Sequence, residues 1–318
     1  MPEEASEDNL MRQRSCALLA LLITMLSAAA CSGTSVPPSR GSSGEYAVLA
    51  TTGIFADLAR LALGDNATIQ SIVPAGVDVH TFEPSPAAAE KIRAADLILL
   101  NGLGLDTWVN SLLEAGGKTQ RDTLVLGEGL DQTSNWVYLK GGEGSGGVDP
   151  HVWMDPKGAV LYVQRIADRV SAERPALASA IAIQSAASIK KIQSLDTSIA
   201  AAFSAVDPVR RKIVTLHDAF AYFARDYGIT IVGVVITSPG QDPSAQQIRA
   251  LIDAIRSANV TALFSERQLP SKVLGQIAAE TGATVLQDLY SDALGAPPAD
   301  SYLGAMKANA DAILGALQ

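Results

Sequence analysis

The sequence predicts an α/β protein of two lobes, each with a mainly parallel sheet flanked by helices, joined by one long rigid helix. Three observations support this fold class. Short apolar runs alternate with helical patterns in both halves of the chain, no glycine occurs between Pro175 and Ala205, and 318 residues with 48% hydrophobic content suffice for two cores. We expect a first lobe over residues 46–174, a linker helix over 175–207 and a second lobe over 208–318.

The first lobe is predicted from apolar runs bounded by turn residues. Ser85 and Pro86 place an N-cap and a proline at the first position of a helix. The predicted order is strand 46–50, helix 54–63, strand 67–73, helix 86–94, strand 97–100, helix 108–113 and strand 123–126. Such alternation is typical of a parallel sheet with helices on both faces.

Two helical stretches follow, at residues 157–174 and 175–205, each with few helix breakers and a periodic apolar stripe. At about 1.5 Å rise per residue, the second would span ~45 Å and connect two lobes. The second lobe repeats the alternation as strand 212–216, helix 219–227, strand 230–236, helix 245–258, strand 262–264, helix 271–281, strand 284–286 and helix 302–317.

The net charge of the chain restricts its partners. A formal charge of −9 argues against nucleic acid, because phosphate-backbone binding needs clustered Lys and Arg. The acidic balance is compatible with a cationic ligand, although net charge does not locate a specific site.

The amino end is typical of an export signal. Arg12 and Arg14 precede an apolar run, and small residues lead to Cys31, as in a lipoprotein signal over residues 1–31. We expect lipidation of Cys31, a flexible tether over 32–45 and a lipid anchor on the extracytoplasmic face of the cell membrane. The alternative is an ordinary cleaved signal that leaves Cys31 free. The acidic leader favours Met11 as an alternative start.

The mature chain then has no thiol, because Cys31 is acylated and the only other cysteine, Cys16, is removed with the signal. If Cys31 is lipidated in this way, disulfides, thiolate catalysis and cysteine-bound metals are excluded.

The three histidines are the candidate ligands. His80, His151 and His217 each lie in a short polar context at a predicted strand end or loop. Imidazole is the commonest protein ligand of borderline metal ions, so convergence of all three would make one site. The alternative for each is an ordinary surface or hydrogen-bonded histidine.

A divalent ion bound by histidines also needs a hard, charged ligand. The candidates are acidic residues in the second half of the chain, and spacing does not choose among them: Asp218, Glu266, Asp288 and Asp292.

Five segments resemble the signature segments of the TroA-like zinc/manganese-binding lipoproteins of ABC importers. They are residues 74–84 (PAGVDVHTFEP), 101–104 (NGLG), 149–156 (DPHVWMDP), 217–222 (HDAFAY) and 290–295 (YSDALG). The resemblance implies two α/β lobes bridged by one long helix, a membrane permease as partner, and His80 and His151 from the first lobe with His217 and Asp292 from the second as ligands.

The chain departs from that family in three places. A glycine-rich stretch, residues 141–147, stands where many zinc-specific members carry a histidine-rich loop. Some manganese-specific members have Glu in place of His217, and Asp106 stands where Glu is usual.

Donor chemistry favours Zn²⁺, with Mn²⁺ as the alternative, because three imidazoles and one carboxylate suit a tetrahedral zinc ion and Mn²⁺ prefers more oxygen. Glu83, Asp218 and Glu266 are candidates to orient the imidazole N–H groups.

We expect a non-enzymatic, monomeric capture protein that closes only modestly around its ion. The alternatives are a zinc hydrolase with an open His₃ site, which would need a bound water and a nearby base, and an adhesin-like structural lipoprotein.

Overall fold

The computed structural model describes residues 45–141, 147–267, 269 and 272–318. The predicted signal, Cys31, nearly all of the tether and the middle of the glycine-rich stretch therefore lie outside the described residues. Among the described helices, none is both long enough and apolar enough to cross a membrane.

The first lobe is built on a four-stranded parallel sheet in the order β2-β1-β3-β4. The central strand β3 reads Leu-Ile-Leu-Leu and is buried at every position, as expected for a parallel sheet covered on both faces. The strands are β1 Ala47–Ala50, β2 Thr68–Ser71, β3 Leu97–Leu100 and β4 Thr123–Val125, and the helices are α1 Gly53–Leu63, α2 Pro86–Ala94, α3 Asn110–Ala115 and α4 Leu130–Thr133.

Two long helices lead out of the first lobe, α5 Pro156–Glu173 and α6 Ala178–Ser204. The Asp155 carboxylate caps α5 by accepting a hydrogen bond from the backbone of Lys157. Helix α6 has 27 residues and begins after a short 3₁₀ turn at Pro175–Leu177, so the predicted linker helix starts three residues later than the sequence pattern indicated.

The second lobe repeats the first with strand order β6-β5-β7-β8, again all parallel. Its strands are β5 Lys212–His217, β6 Thr230–Ile236, β7 Ala262–Glu266 and β8 Thr284–Leu289, and its helices are α7 Ala221–Tyr227, α8 Ala245–Ala258, α9 Lys272–Thr281 and α10 Tyr302–Leu317. The predicted fold class, two parallel-sheet lobes flanked by helices, is confirmed. The limits of the lobes stay a prediction.

One apolar cluster runs through both lobes, and each lobe also has a smaller cluster of its own. A single cluster of buried side chains contains Phe55 of α1, Phe203 of α6, Phe223 of α7 and Tyr302 of α10. The rings of Phe203 and Tyr227 stack 5.6 Å apart, which fixes the long helix to the second lobe. Continuous packing of this kind resists a wide separation of the lobes.

Strands β7 and β8 are longer than predicted. Their apolar runs end at Phe264 and Leu286, but the strands continue to Glu266 and Leu289. Ser265 and Glu266 are polar yet buried, at 0% and 1% exposure. Strand β7 therefore ends in polar residues that are buried between the lobes. A search for apolar runs does not detect such residues.

Candidate metal centre

The three histidines and Asp292 lie together between the lobes. One possible ligand atom from each of the four side chains lies within 4.8 Å of the other three. Nε2 of His80 is 3.6 Å, Nε2 of His151 3.5 Å and Nδ1 of His217 3.4 Å from an oxygen of Asp292. Ligands arranged as a tetrahedron with bonds of about 2.1 Å are about 3.4 Å apart. These donors are thus spaced to surround one cation.

The topology explains this convergence. His217 is the last residue of β5, Asp292 follows the end of β8, and His80 lies in the loop after β2. Because the strands of each sheet are parallel, their carboxyl ends open at one edge, where ligand sites in α/β sheets form. His151 comes from the segment just before the 3₁₀ turn Val152–Met154, which leads into α5.

His151 is oriented by a carboxylate two residues earlier. Its Nδ1–H donates to Oδ1 of Asp149 at 2.7 Å, and its backbone N–H donates to the same oxygen at 2.9 Å. In the neutral ring this bond keeps the proton on Nδ1, so that Nε2, which faces Asp292, is unprotonated. Burial alone lowers the pKa of His151, but the hydrogen bond to Asp149 and the charges of Asp149 and Asp292 outweigh burial, so the pKa is raised.

The backbone around His151 is held from both lobes. The hydroxyl of Tyr222, on α7 of the second lobe, donates to the carbonyl of Asp149 at 3.0 Å. On the other side, the Asn101 amide donates to the carbonyl of Pro150 at 3.0 Å. The position of His151 is therefore fixed by contacts outside its own loop.

Asp106 holds the segment that contains Asn101, the residue that contacts Pro150. Its carboxylate accepts hydrogen bonds from the backbone of Asn101 and Gly102 and from the hydroxyl of Thr51. Burial raises the pKa of Asp106 and these hydrogen bonds oppose that effect. Asp, in place of the Glu usual in the resembling family, thus makes a full set of contacts here.

The His80 loop is organised by Asp78. One carboxylate oxygen of Asp78 accepts from the backbone N–H of His80 and of Thr81, both at 3.0 Å, and from the Thr81 hydroxyl at 3.1 Å. The His80 side chain keeps 9% of its surface exposed, whereas those of His151, His217 and Asp292 are 0% exposed. The site therefore opens to solvent past His80.

The loop after β6 lies close to the His80 loop. A Cβ placed on Gly240 would lie 3.4 Å from Cγ2 of Thr81, in ordinary contact. Gly240 has φ +85, a conformation that favours glycine. Gly240 of the second lobe therefore lies close to Thr81 of the His80 loop.

Asp292 is held in a rigid segment and is ionised. The Trp153 indole donates to the carbonyl of Ser291 at 2.9 Å, and the Asn309 amide pairs with both backbone groups of Tyr290. Burial alone would raise the pKa of Asp292, but the three facing imidazoles lower it well below its usual range.

The other acidic candidates are placed differently. Glu266 ends β7 beside the site, with Oε1 3.4 Å from Nδ1 of His217. Asp288 lies at the surface, where it pairs with Arg267, so it does not belong to the cluster. Glu83 is exposed and Asp218 is half-buried, and their part in orienting the histidines stays a prediction.

The sequence interpretation assigned no role to Asp78 or Asp149, although both bond to candidate ligand residues. Each lies two positions before a candidate ligand, in Asp78-Val-His80 and Asp149-Pro-His151. This shared Asp-x-His spacing was the available signal, because an aspartate two residues earlier can bond the backbone of the histidine.

Comparison with known proteins bears on the role of this cluster. Residues 48–316 match the family model of ZnuA, the periplasmic component A of a zinc-uptake complex. The metal ABC transporter substrate-binding lipoprotein FimA of Streptococcus parasanguinis is 31% identical over 304 residues, covering 93% of this chain and 96% of that protein.

Relatives named for other metals are similar over comparable lengths. The manganese ABC transporter lipoprotein PsaA of Streptococcus anginosus is 28% identical over 303 residues, covering 93% of this chain and 96% of PsaA. The iron ABC transporter lipoprotein MtsA of Streptococcus pyogenes serotype M1 is 28% identical over 310 residues, covering 95% and 98%.

Solved structures share the fold. The periplasmic zinc-binding protein TroA of Treponema pallidum superposes with a TM-score of 0.77 at 26% identity, covering 86% of this chain and 99% of TroA. A manganese-bound periplasmic metal-binding protein of Candidatus Liberibacter asiaticus gives 0.75 at 27% identity, covering 86% and 100%. The chain therefore belongs to the ZnuA family and is a substrate-binding protein of a metal ABC transporter, not an enzyme.

Proposed function

We propose that His80, His151, His217 and Asp292 together bind one divalent transition-metal ion, which the protein delivers to the permease of an ABC importer. The observation that carries this proposal is the spacing of the four donors, three imidazole nitrogens within 3.4 to 3.6 Å of the oxygens of one carboxylate. Asp292 supplies negative charge to balance the cation, since its lowered pKa keeps it ionised.

The donor set favours Zn²⁺ as the cargo, with Mn²⁺ as the alternative. Three nitrogens and one oxygen match the four-coordinate geometry of zinc, which also lies above manganese in the usual order of affinities. The relatives are named for zinc, manganese or iron, so the preference for Zn²⁺ rests on the donor chemistry of this chain.

Capture and delivery fit the site better than hydrolysis. A zinc hydrolase keeps one coordination position open for water, whereas Asp292 takes the fourth position here. The candidate ligands are also 91% or more buried, which leaves little room for a substrate. A purely adhesive or structural lipoprotein would give no reason for the three histidines of the chain to converge.

The cellular setting follows from the same assignment. We propose that acylated Cys31 anchors the protein to the outer face of the cell membrane, close to the permease. The lipoprotein names of the relatives support this anchor. One chain supplies all four donors, so a monomer is sufficient for binding.

The test is metal binding by the Asp292→Ala variant, with Asp288→Ala as a matched control on the surface four residues earlier. Purified proteins are stripped with a chelator, reloaded with Zn²⁺ or Mn²⁺, and measured by elemental analysis and calorimetry. We expect one tightly bound ion in the unmodified protein and in Asp288→Ala, and loss of tight binding in Asp292→Ala. Retention of one ion with unchanged affinity by Asp292→Ala would overturn the proposal.

A further inference from the structure

We propose that Glu266 determines which cations the site accepts, by adding a second acidic oxygen for ions that take more than four ligands. The inference rests on the proposed function, because it concerns the same ion. It assigns Glu266 a role in the choice between Zn²⁺ and cations such as Mn²⁺ or Fe²⁺.

Glu266 is placed next to the donors by the sheet. It is the last residue of β7, which pairs with β5, and His217 is the last residue of β5. Its Oε1 lies 3.4 Å from Nδ1 of His217, the same distance as from that nitrogen to Oδ2 of Asp292. His217 is therefore flanked by two carboxylates.

A nearby positive charge would stabilise the buried carboxylate of Glu266. The residue is 1% exposed, and neither carboxylate oxygen accepts a hydrogen bond from the described part of the chain. Burial of a carboxylate without donors is unfavourable unless a cation or a proton compensates it. The adjacent Arg267 does not compensate it, since its side chain is 61% exposed and pairs with Asp288.

A bound cation offsets the negative charge of Glu266, and the contribution of Glu266 to binding depends on which metal is bound. Zinc is satisfied by the three nitrogens and the one oxygen of the main group. Manganese and iron(II) favour more oxygen ligands and higher coordination numbers. Glu266 lies beside the group of four donors and not within it. We expect its side chain to rotate toward the ion when a cation with more than four ligands is bound.

The experiment compares Glu266→Gln with the unmodified protein and with Asp288→Asn, a surface carboxylate near the end of the neighbouring strand β8. Dissociation constants for Zn²⁺ and Mn²⁺ are measured by competition with a chromogenic chelator. We expect Glu266→Gln to weaken Mn²⁺ binding at least tenfold and Zn²⁺ binding less than threefold, while Asp288→Asn changes neither. Equal losses for both metals, or an unchanged Mn²⁺ affinity, would overturn the proposal.

A measurement on the unmodified protein keeps the test independent of how well the variant folds. X-ray absorption of the Mn²⁺-loaded and Zn²⁺-loaded proteins gives the number of ligands around each ion. We expect five or more for Mn²⁺ and four for Zn²⁺, and four ligands around Mn²⁺ would contradict the role of Glu266.

The two proposals fail in different ways. If the site itself is misassigned, Asp292→Ala keeps both metals. If only the role of Glu266 is wrong, Asp292→Ala loses both metals and Glu266→Gln shows no difference between them.

Discussion

The imidazole of His151 donates from Nδ1 to Asp149 at 2.7 Å, within a fully buried segment. The bond selects one tautomer of His151 and directs Nε2 toward the proposed position of the ion. We expect Asp149→Ala to weaken metal binding by roughly 10- to 100-fold, the usual effect of removing a carboxylate that orients a ligand histidine. Calorimetric titration with Zn²⁺ measures it, and the exposed Asp131→Ala serves as control. An unchanged affinity in Asp149→Ala would show that packing alone orients the ring.

Metal affinity should fall as the solution becomes acidic. The metal-free protein has a raised pKa at His151, and only the unprotonated Nε2 binds a cation. Affinity is therefore full above this raised pKa and declines as pH drops through it, while Asp292 stays ionised because its pKa is lowered. Zn²⁺ dissociation constants between about pH 5 and 8 test this. In Asp149→Asn, which lacks the charge that raises the pKa of His151, the decline should move to lower pH.

Metal release should depend on the hydrogen bonds of Asp78. This carboxylate restrains the loop of His80, the one candidate ligand with an exposed edge. We expect Asp78→Ala to release Zn²⁺ about tenfold faster, in line with the effects of residues that orient ligands. Stopped-flow mixing of the loaded protein with excess chelator gives the rate. Thr81→Ala removes only one of the three bonds and should have a smaller effect, so equal rates in the two variants would count against this account.

Binding of a metal ion should leave the overall dimensions of the protein nearly unchanged. The apolar cluster that includes Phe55, Phe203 and Tyr302 runs through both lobes. A salt bridge of 2.7 Å between Arg225 of α7 and Asp155 at the start of α5 adds a second connection. We expect the small-angle X-ray scattering curves of the metal-free and Zn²⁺-loaded proteins to superimpose. A clear decrease in the radius of gyration upon loading would instead indicate a hinge motion of whole lobes.

Much of the fold was accessible from the sequence because local patterns determine it. The apolar run of β3 and the Ser85-Pro86 helix start correspond to the observed elements. The start of α6 and the ends of β7 and β8 lie two or three residues later than predicted. At those positions a proline-led 3₁₀ turn, the buried polar end of β7 and the exposed polar residues near the end of β8 interrupt the hydrophobic pattern on which the prediction depends.

The site was predictable to a different degree for each residue type. Three histidines in a long chain are rare enough to attract attention, and the structure brings all three together. Acidic residues are common, so the choice of Asp292 over Asp288 came from family resemblance and not from spacing. Asp149 lies two residues before His151, a local spacing that the sequence interpretation did not use. Tyr222 contacts Asp149 from 73 residues away, and a contact between such distant parts of the chain leaves no local periodicity to detect.

The narrow exposed edge of His80 means that solvent reaches the proposed metal site from one side of the protein. Among the four candidate ligands, only His80 has a side chain that solvent reaches, so we expect an ion to enter and leave past His80. We therefore expect the protein to dock with the exposed edge of His80 turned toward the transporter entrance. A docked protein in any other orientation would discharge its cargo into bulk solvent.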